Sequence, residues 1–247
     1  MSKEWDVYAC EIDGMPASVA IDLRIAEDAP LARLPVAAWV QLRLQSPGDD
    51  GLPSAGEQAA LHAIEAALAN ALVSRTTAFV GHISTAGRRD FHFYTGAATG
   101  WKERVSNALQ GCPGCAFTCG SRPDRDWGIY FERLSPSDED QERIQNRRAC
   151  DALQQGGERF EQARPIEHSA YFPDAASRER FILRAGELGH RVVETVEPEA
   201  RGEQFGVRVS AVGIPSHALI DEWVLPLFHA AEDCGGEYDG WETQIIA

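Results

Sequence analysis

Six cysteines (Cys10, Cys112, Cys115, Cys119, Cys150, Cys234) are spread over 247 residues, too sparse for the disulfide framework of a small secreted scaffold. No run of about 18 apolar residues is available to span a membrane. Met1–Asp6 leads into polar–apolar alternation, not into the apolar core of a signal peptide. Cations are in short supply: 23 Lys and Arg stand against 38 Asp and Glu, a formal net charge of −15. That field repels phosphate backbones, so no direct nucleic-acid partner is expected, and a basic protein is the partner it favours. The sequence contains no G-x-S-x-G, Walker loop, H-E-x-x-H or G-x-G-x-x-G, the motifs that would announce common catalytic or cofactor chemistry. Together these absences point to a cytoplasmic protein with reduced thiols that is not an enzyme, needs no cofactor and does not enter a membrane.

The remaining composition, 44% hydrophobic and 25% charged, is that of a globular chain long enough for one large or two small cores. Its acid is unevenly placed. From Glu194 to the C-terminus eleven carboxylates face only Arg201 and Arg208. Such a one-sided surface steers a cationic partner, and salt weakens the effect.

The first half opens with a hairpin, "WDVYACEI" and "MPASVAIDL", around Asp13-Gly14, a pair suited to a type I′ turn because both central residues need positive φ. "VAAWVQLRL" follows as a strand. Ser54-Ala-Gly-Glu57 reads as a capping box opening a helix with Leu61, Ile64, Leu68 and Leu72 inward. "TAFVGHIS" and "RRDFHFYT" form a second hairpin around Ala86-Gly87. A short helix near 100–110 and two further strands, "CAFTCGS" and "WGIYFERL", complete the set. A helix then begins at Ser137, with Asp138, Glu139 and Asp140 in its first turn and Arg143, Arg147 and Arg148 beyond, an order that suits the helix dipole. The polar, glycine-containing "QQGGERFEQARP" marks a linker, dividing an N-terminal α+β domain (1–155) from a C-terminal domain (164–247).

The second half is a compact cycle: strand "PIEHSAYF", a helix capped by Asp174 with Phe181, Ile182, Ala185 and Leu188 inward, strands "RVVETV" and "FGVRVSAV", a helix from Ser216 to Cys234, and a last strand "EYDGWETQII". This is the β-α-β-β-α-β order of the split βαβ, or ferredoxin-like, plait. From "VAAWVQLRL" to "CAFTCGS" the first half repeats that order. The fold class expected is therefore α+β: two ferredoxin-like plaits, the N-terminal one extended by an extra hairpin and a helix.

In that topology "EYDGWE" lies at a sheet edge, beside "EHSAYF". Strict alternation puts Glu237, Asp239, Trp241 and Thr243 on one face and Tyr238, Gly240, Glu242 and Gln244 on the other. A plait covers one sheet face with its helices and leaves the other open. The acids and rings then form a recognition edge, Glu237, Tyr238, Asp239, Trp241 and Glu242 with Glu167, His168 and Tyr171 nearby, offered to a basic protein segment. Gly240 marks a bulge or a close backbone approach.

"RPIEHSAYF", the β-α-β-β-α-β order and the closing "GGEYDGWET" resemble the family of regulator of ribonuclease E activity B, RraB, over residues 164–247. Residues 1–150, with "WDVYACEIDGMPASVAIDL" and "VGHISTAGRRDFHFY", resemble a bacterial domain of unknown function often joined to it. The resemblance implies a small acidic cytoplasmic protein that binds the endoribonuclease RNase E and lowers its activity, doing no chemistry itself. Pro226 departs from the pattern: a helix-interior proline removes one amide donor and costs about 3 kcal/mol where the helix is not adapted to it.

The sharpest rival is "CPGCAFTC". Cys112 and Cys115 have redox or metal spacing, with Cys119 as a third thiol and His82 or His92 as a fourth ligand. It lacks the second closely spaced pair of a zinc motif, and it precedes a strand, not the helix N-terminus that lowers a thiol pKa. A small-ligand module remains as a further alternative. Glu167 and His168, adjacent on a strand, point to opposite faces and cannot act together.

Overall fold

The computed structural model describes residues 5–112, 115–198, 200 and 204–246. The chain forms two compact units, Met1–Asp140 and Gln141–Ala247.

In the first unit, β1 (Trp5–Ile12) and β2 (Met15–Asp22) pair around Asp13 and Gly14, whose φ values of 54° and 74° meet the turn's requirement. β3 (Val36–Arg43), α1 (Gln58–Leu72), β4 (Thr77–Thr85), β5 (Arg88–Thr95), α2 (Trp101–Ala108) and β6 (Phe117–Pro123) follow. The antiparallel sheet has the order β1-β2-β4-β5-β3-β6. Leu61, Ile64, Leu68 and Leu72 of α1 are buried, with Ala38, Val40 and Leu42 of β3 and Phe91 and Phe93 of β5, in the core beneath both helices.

Two sequence expectations fail here. No capping box forms at Ser54: α1 has no side-chain cap, and Glu57 instead accepts the amides of Gln45 (2.6 Å) and Ser46 (3.2 Å). "WGIYFERL" is a helical turn, with Tyr130–Leu134 in π conformation, not a strand. Asp124 organises it by accepting the Gly128 and Ile129 amides and the Tyr94 hydroxyl. The Trp127 ring stacks on Tyr94 at 3.9 Å, and its indole N–H donates to the Leu34 carbonyl. Burial of these rings outweighs the β propensity of the string.

The second unit contains most of α3 (Asp138–Gln155), then β7 (Arg164–Phe172), α4 (Ala175–Glu187), β8 (Arg191–Val196), β9 (Phe205–Gly213), α5 (Ile220–Asp233) and β10 (Glu237–Glu242). Its antiparallel sheet has the order β10-β7-β9-β8. The unit begins earlier than the linker at 155 suggested, because α3 packs into it: Cys150 joins its core, and Asn146 donates to Asp221 of α5. Ser137 and Asp140 make the reciprocal cap of α3. Asp174 accepts the Ser177 amide at the start of α4, as expected. Leu188, read as inward, is exposed, and α5 becomes regular only at Ile220, one turn beyond Ser216. Pro226 and Glu222, whose carbonyl a residue at 226 would ordinarily bond, are both exposed on a helix that continues through the proline. Glu199, Arg201 and Glu203, and the Pro113-Gly114 turn, lie outside the described residues.

Both units are α+β, and both show one order. Numbering the strands of each β-α-β-β-α-β stretch by position, the sheet runs fourth, first, third, second.

Candidate functional site

Among the described residues β10 pairs only with β7, so it is an edge strand. Its register is the decisive detail. Tyr238 opposes Ala170 and Gly240 opposes Ser169, so Asp239 is an extra, unpaired residue in a bulge where Gly240 takes φ 106°. One inserted residue inverts the alternation beyond it. Trp241 therefore opposes His168 and joins Tyr238 on the helix-covered face, where strict alternation had separated the two rings.

The predicted site accordingly splits. Tyr238 and His168 are buried and share a 2.8 Å hydrogen bond between the phenol oxygen and Nδ1. They offer no surface to a partner, which corrects the sequence reading for these two. Burial pushes the His168 imidazole down to about 3, helped by the nearby His190. Half-buried Trp241 packs on the core and donates its indole N–H to Asn146 Oδ1 at 2.8 Å. Asn146, in turn, donates to Asp221, which also accepts from Arg143 at 3.0 Å. Glu142, one turn before Asn146 on α3, is buried, and desolvation followed by the Asp221 charge raises it to about 7.

The other five predicted residues remain available. Glu237, Asp239 and Glu242 are exposed, while Glu167 and Tyr171 are half-buried. Glu237 and Tyr171, then Glu242 and Glu167, are cross-strand neighbours on the face that α4 and α5 do not cover. The Tyr171 ring lies over β9 at Gly206, where a Cβ would sit 3.0 Å from the ring. Arg208 stands between Glu167 (3.6 Å) and Glu194 (3.8 Å), a cation on this face that the sequence reading did not bring to the site.

A buried ion pair holds the end of the chain against β7. Arg164 meets Glu158 at 2.6 Å and donates to Thr243, while Glu158 also accepts the amides of Ile246 and Phe160. Burial alone would raise the Glu158 carboxyl, but those amides and the guanidinium outweigh it and hold it below its usual range. Beside the pair is a cleft of about 340 Å³ lined by Pro165, Glu167, Glu242 and Gln244. A charged pair six residues apart carries no sequence pattern that would have revealed it.

The rival thiols pack on the N-terminal core. Cys112, Cys115 and Cys119 are half-buried against it, and desolvation raises the Cys115 and Cys119 thiols, which keeps them protonated near neutrality. His82 is engaged by Glu65 at 2.8 Å. Among the described residues no group of three or more His, Cys, Asp or Glu is placed to hold a metal ion. None of their helices is long and apolar enough to cross a membrane.

Residues 3–135 match the model of a family of unknown function, DUF695. The chain belongs to that family. Residues 143–243 match the model of regulator of ribonuclease activity B, so the likeness begins within α3 and not at 164. The gap between the two matches brackets the divide between the structural units. No curated protein matches the chain. Among solved structures, an unknown protein from Galdieria sulphuraria is 17% identical, covering 84% of this chain and 96% of its own, with a TM-score of 0.23. A putative glycine cleavage system transcriptional repressor is 10% identical over 85% and 98% of the two chains, with a TM-score of 0.27. Overlap at that level carries no argument about fold or function.

Proposed function

We propose that this DUF695 protein is a non-enzymatic cytoplasmic regulator that binds an RNase E-type endoribonuclease and lowers its activity through its C-terminal unit. The observation that carries the reading is the grouping of Glu237, Glu242 and Glu167 on the uncovered face of an edge-strand pair, with Asp239 in the adjoining bulge, in a segment matching regulator of ribonuclease activity B. The carboxylates would meet a Lys- or Arg-rich segment, and Tyr171 would supply apolar contact area. The shared strand order supports reading each unit as a ferredoxin-like plait, the first extended by β1 and β2.

The test is cleavage of a short fluorogenic RNA by a purified RNase E-type enzyme, with and without the full chain. Addition of the chain should slow cleavage. Reversing Glu237, Asp239 and Glu242 to lysine should weaken inhibition by about tenfold or more, and added salt should weaken the wild-type complex. Inhibition that ignores both changes would remove the acidic edge from the mechanism. Absence of inhibition would remove the function.

A further inference from the structure

The two edges of the C-terminal sheet are unlike. β10 closes one of them with Glu237, Asp239 and Glu242. β8 closes the other, and among the described residues it pairs only with β9. None of its six residues, "RVVETV", is buried. Val192, Val193 and Val196 are 43%, 48% and 47% exposed. Single apolar side chains at a surface are ordinary. Three in six on an unpaired strand, which also turns a row of amides and carbonyls outward, are what a sheet avoids at an idle edge.

The helix layer continues this apolar rim. Arg178 of α4 donates to the Val196 carbonyl at 3.3 Å and pairs with Glu197 at 2.7 Å, so that side of α4 borders β8. Arg180 and Arg184 reach the other way, to the Cys234 carbonyl and Asp233 at the end of α5. With about 100° between successive residues, Ile182 falls on the Arg178 side. Leu183, 70% exposed, is next to it.

Charge decides what fits the rim. Residues three apart on a regular strand face opposite sides. In β8 the register with β9 slips between Val192 and Glu194, which makes Val193 an extra residue. Arg191 then opposes Ser210 and Glu194 opposes Arg208. Val207 and Val209 of β9 belong to the core beneath the helices, so Arg191 and Glu194 share the uncovered face. A bulge and two charges usually blunt an edge; here they make the edge complementary to itself.

We propose that β8 is a homodimer interface, its occupant the β8 of a second copy of this chain, paired antiparallel about a two-fold axis between Val192 and Val193. That register sets Arg191 opposite Glu194 of the second copy and Val192 opposite its Val193, and the symmetry makes each contact twice. Two four-stranded sheets join into one of eight, with the α4 flanks beside the seam. A chain of net charge −15 repels its own copies, so a self-contact needs a locally neutral surface. β8, with one arginine and one glutamate, is such a surface. β10 and β1 are not: each carries acids and no cation. The proposal is independent of the ribonuclease reading, because β8 and β10 lie at opposite edges and a dimer through β8 leaves β10 free.

Sedimentation equilibrium of the full chain from about 1 to 300 µM tests it. The mass should rise with concentration from one chain to two and stop there, and hydrogen exchange at residues 191–196 should slow over the same range. Arg191→Glu and Glu194→Arg, both at exposed positions, should each raise the dimer dissociation constant by about tenfold or more, since each sets like charges opposite one another twice. Mixed one to one, the two variants should pair with each other about as tightly as the wild type pairs with itself, because opposite charges then meet again. The proposal is overturned by a single-chain mass at every concentration, by open-ended oligomers, which would mean head-to-tail pairing of unlike edges, by a dimer indifferent to both reversals, or by variants that fail to pair when mixed.

Discussion

The two sheets share a strand order, and each lays one ring over a glycine of a neighbouring strand on its uncovered face: Trp39 over Gly120, and Tyr171 over Gly206. Their surroundings differ in balance. On the first face Arg43 lies opposite Arg88, which is ion-paired with Asp90; on the second Glu237 lies opposite Tyr171 and Glu242 opposite Glu167, with Arg208 between Glu167 and Glu194. Topology therefore sets where a platform stands, while the residues at alternate strand positions decide what can approach it. The faces also differ in how they are bounded. A tethered aromatic segment roofs part of the first, whereas a bulged edge strand borders the second.

The largest predicted effect removes that roof. Trp127 is fully buried, stacks on Tyr94 and donates to Leu34. Trp127→Ala should cost about 3–5 kcal/mol in chemical denaturation of the first unit, and a loss below about 1 kcal/mol would show that the roof is not part of that core. A comparable loss, about 3–4 kcal/mol, is expected from Arg164→Met in the second unit, because Glu158 would be left buried without its cation. The pH dependence has a definite sign. Since the folded Glu158 carboxyl lies below its unfolded value, the stabilisation is complete above about pH 4.3 and drains away as pH falls through the lower folded value.

Glu142 gives the reverse slope within the same unit. Its carboxyl is raised to about 7 in the fold, so its contribution is fully present below about pH 4.3 and is lost as pH rises through 7. Glu142→Gln should therefore stabilise the protein by about 1–3 kcal/mol at alkaline pH and by little in acid, read from unfolding midpoints across pH. A gain equal at both ends would contradict the assignment. An effect of similar size sharpens the contrast at the edge. Gly240→Ala, at φ 106°, should cost about 1–3 kcal/mol through backbone strain. It should also disturb the Trp241–Asn146 hydrogen bond, visible as a shift in tryptophan emission; an unshifted spectrum at full stability would mean the bulge does not depend on glycine.

Much of this was legible before the structure. Asp13-Gly14 announced its turn because side-chain-free or short polar residues are what tolerate positive φ. The inward stripe of α1 followed from helical period alone. Gly240 hinted at a bulge, yet only the register showed that Asp239 is the looped residue and that Tyr238 and Trp241 share the covered face. "WGIYFERL" read as a strand because its residues favour β structure. Nothing local reveals that Asp124 and Tyr94 offer a better arrangement. The helix after Ser137 was readable as a helix, but its allegiance to the second unit rests on Asn146 and Cys150 meeting residues far along the chain.

What the sequence by itself determined is local and periodic: which segments are strands and helices, "WGIYFERL" excepted, where tight turns fall, and that the C-terminal stretch is rich in acid. Those properties depend on backbone sterics and on spacing within a few residues, which the order of side chains encodes directly. Tertiary structure alone decided which acids reach an open face, which rings are sealed, and where arginines on separate strands converge. Those outcomes depend on register, and a single inserted residue reverses every side chain beyond it.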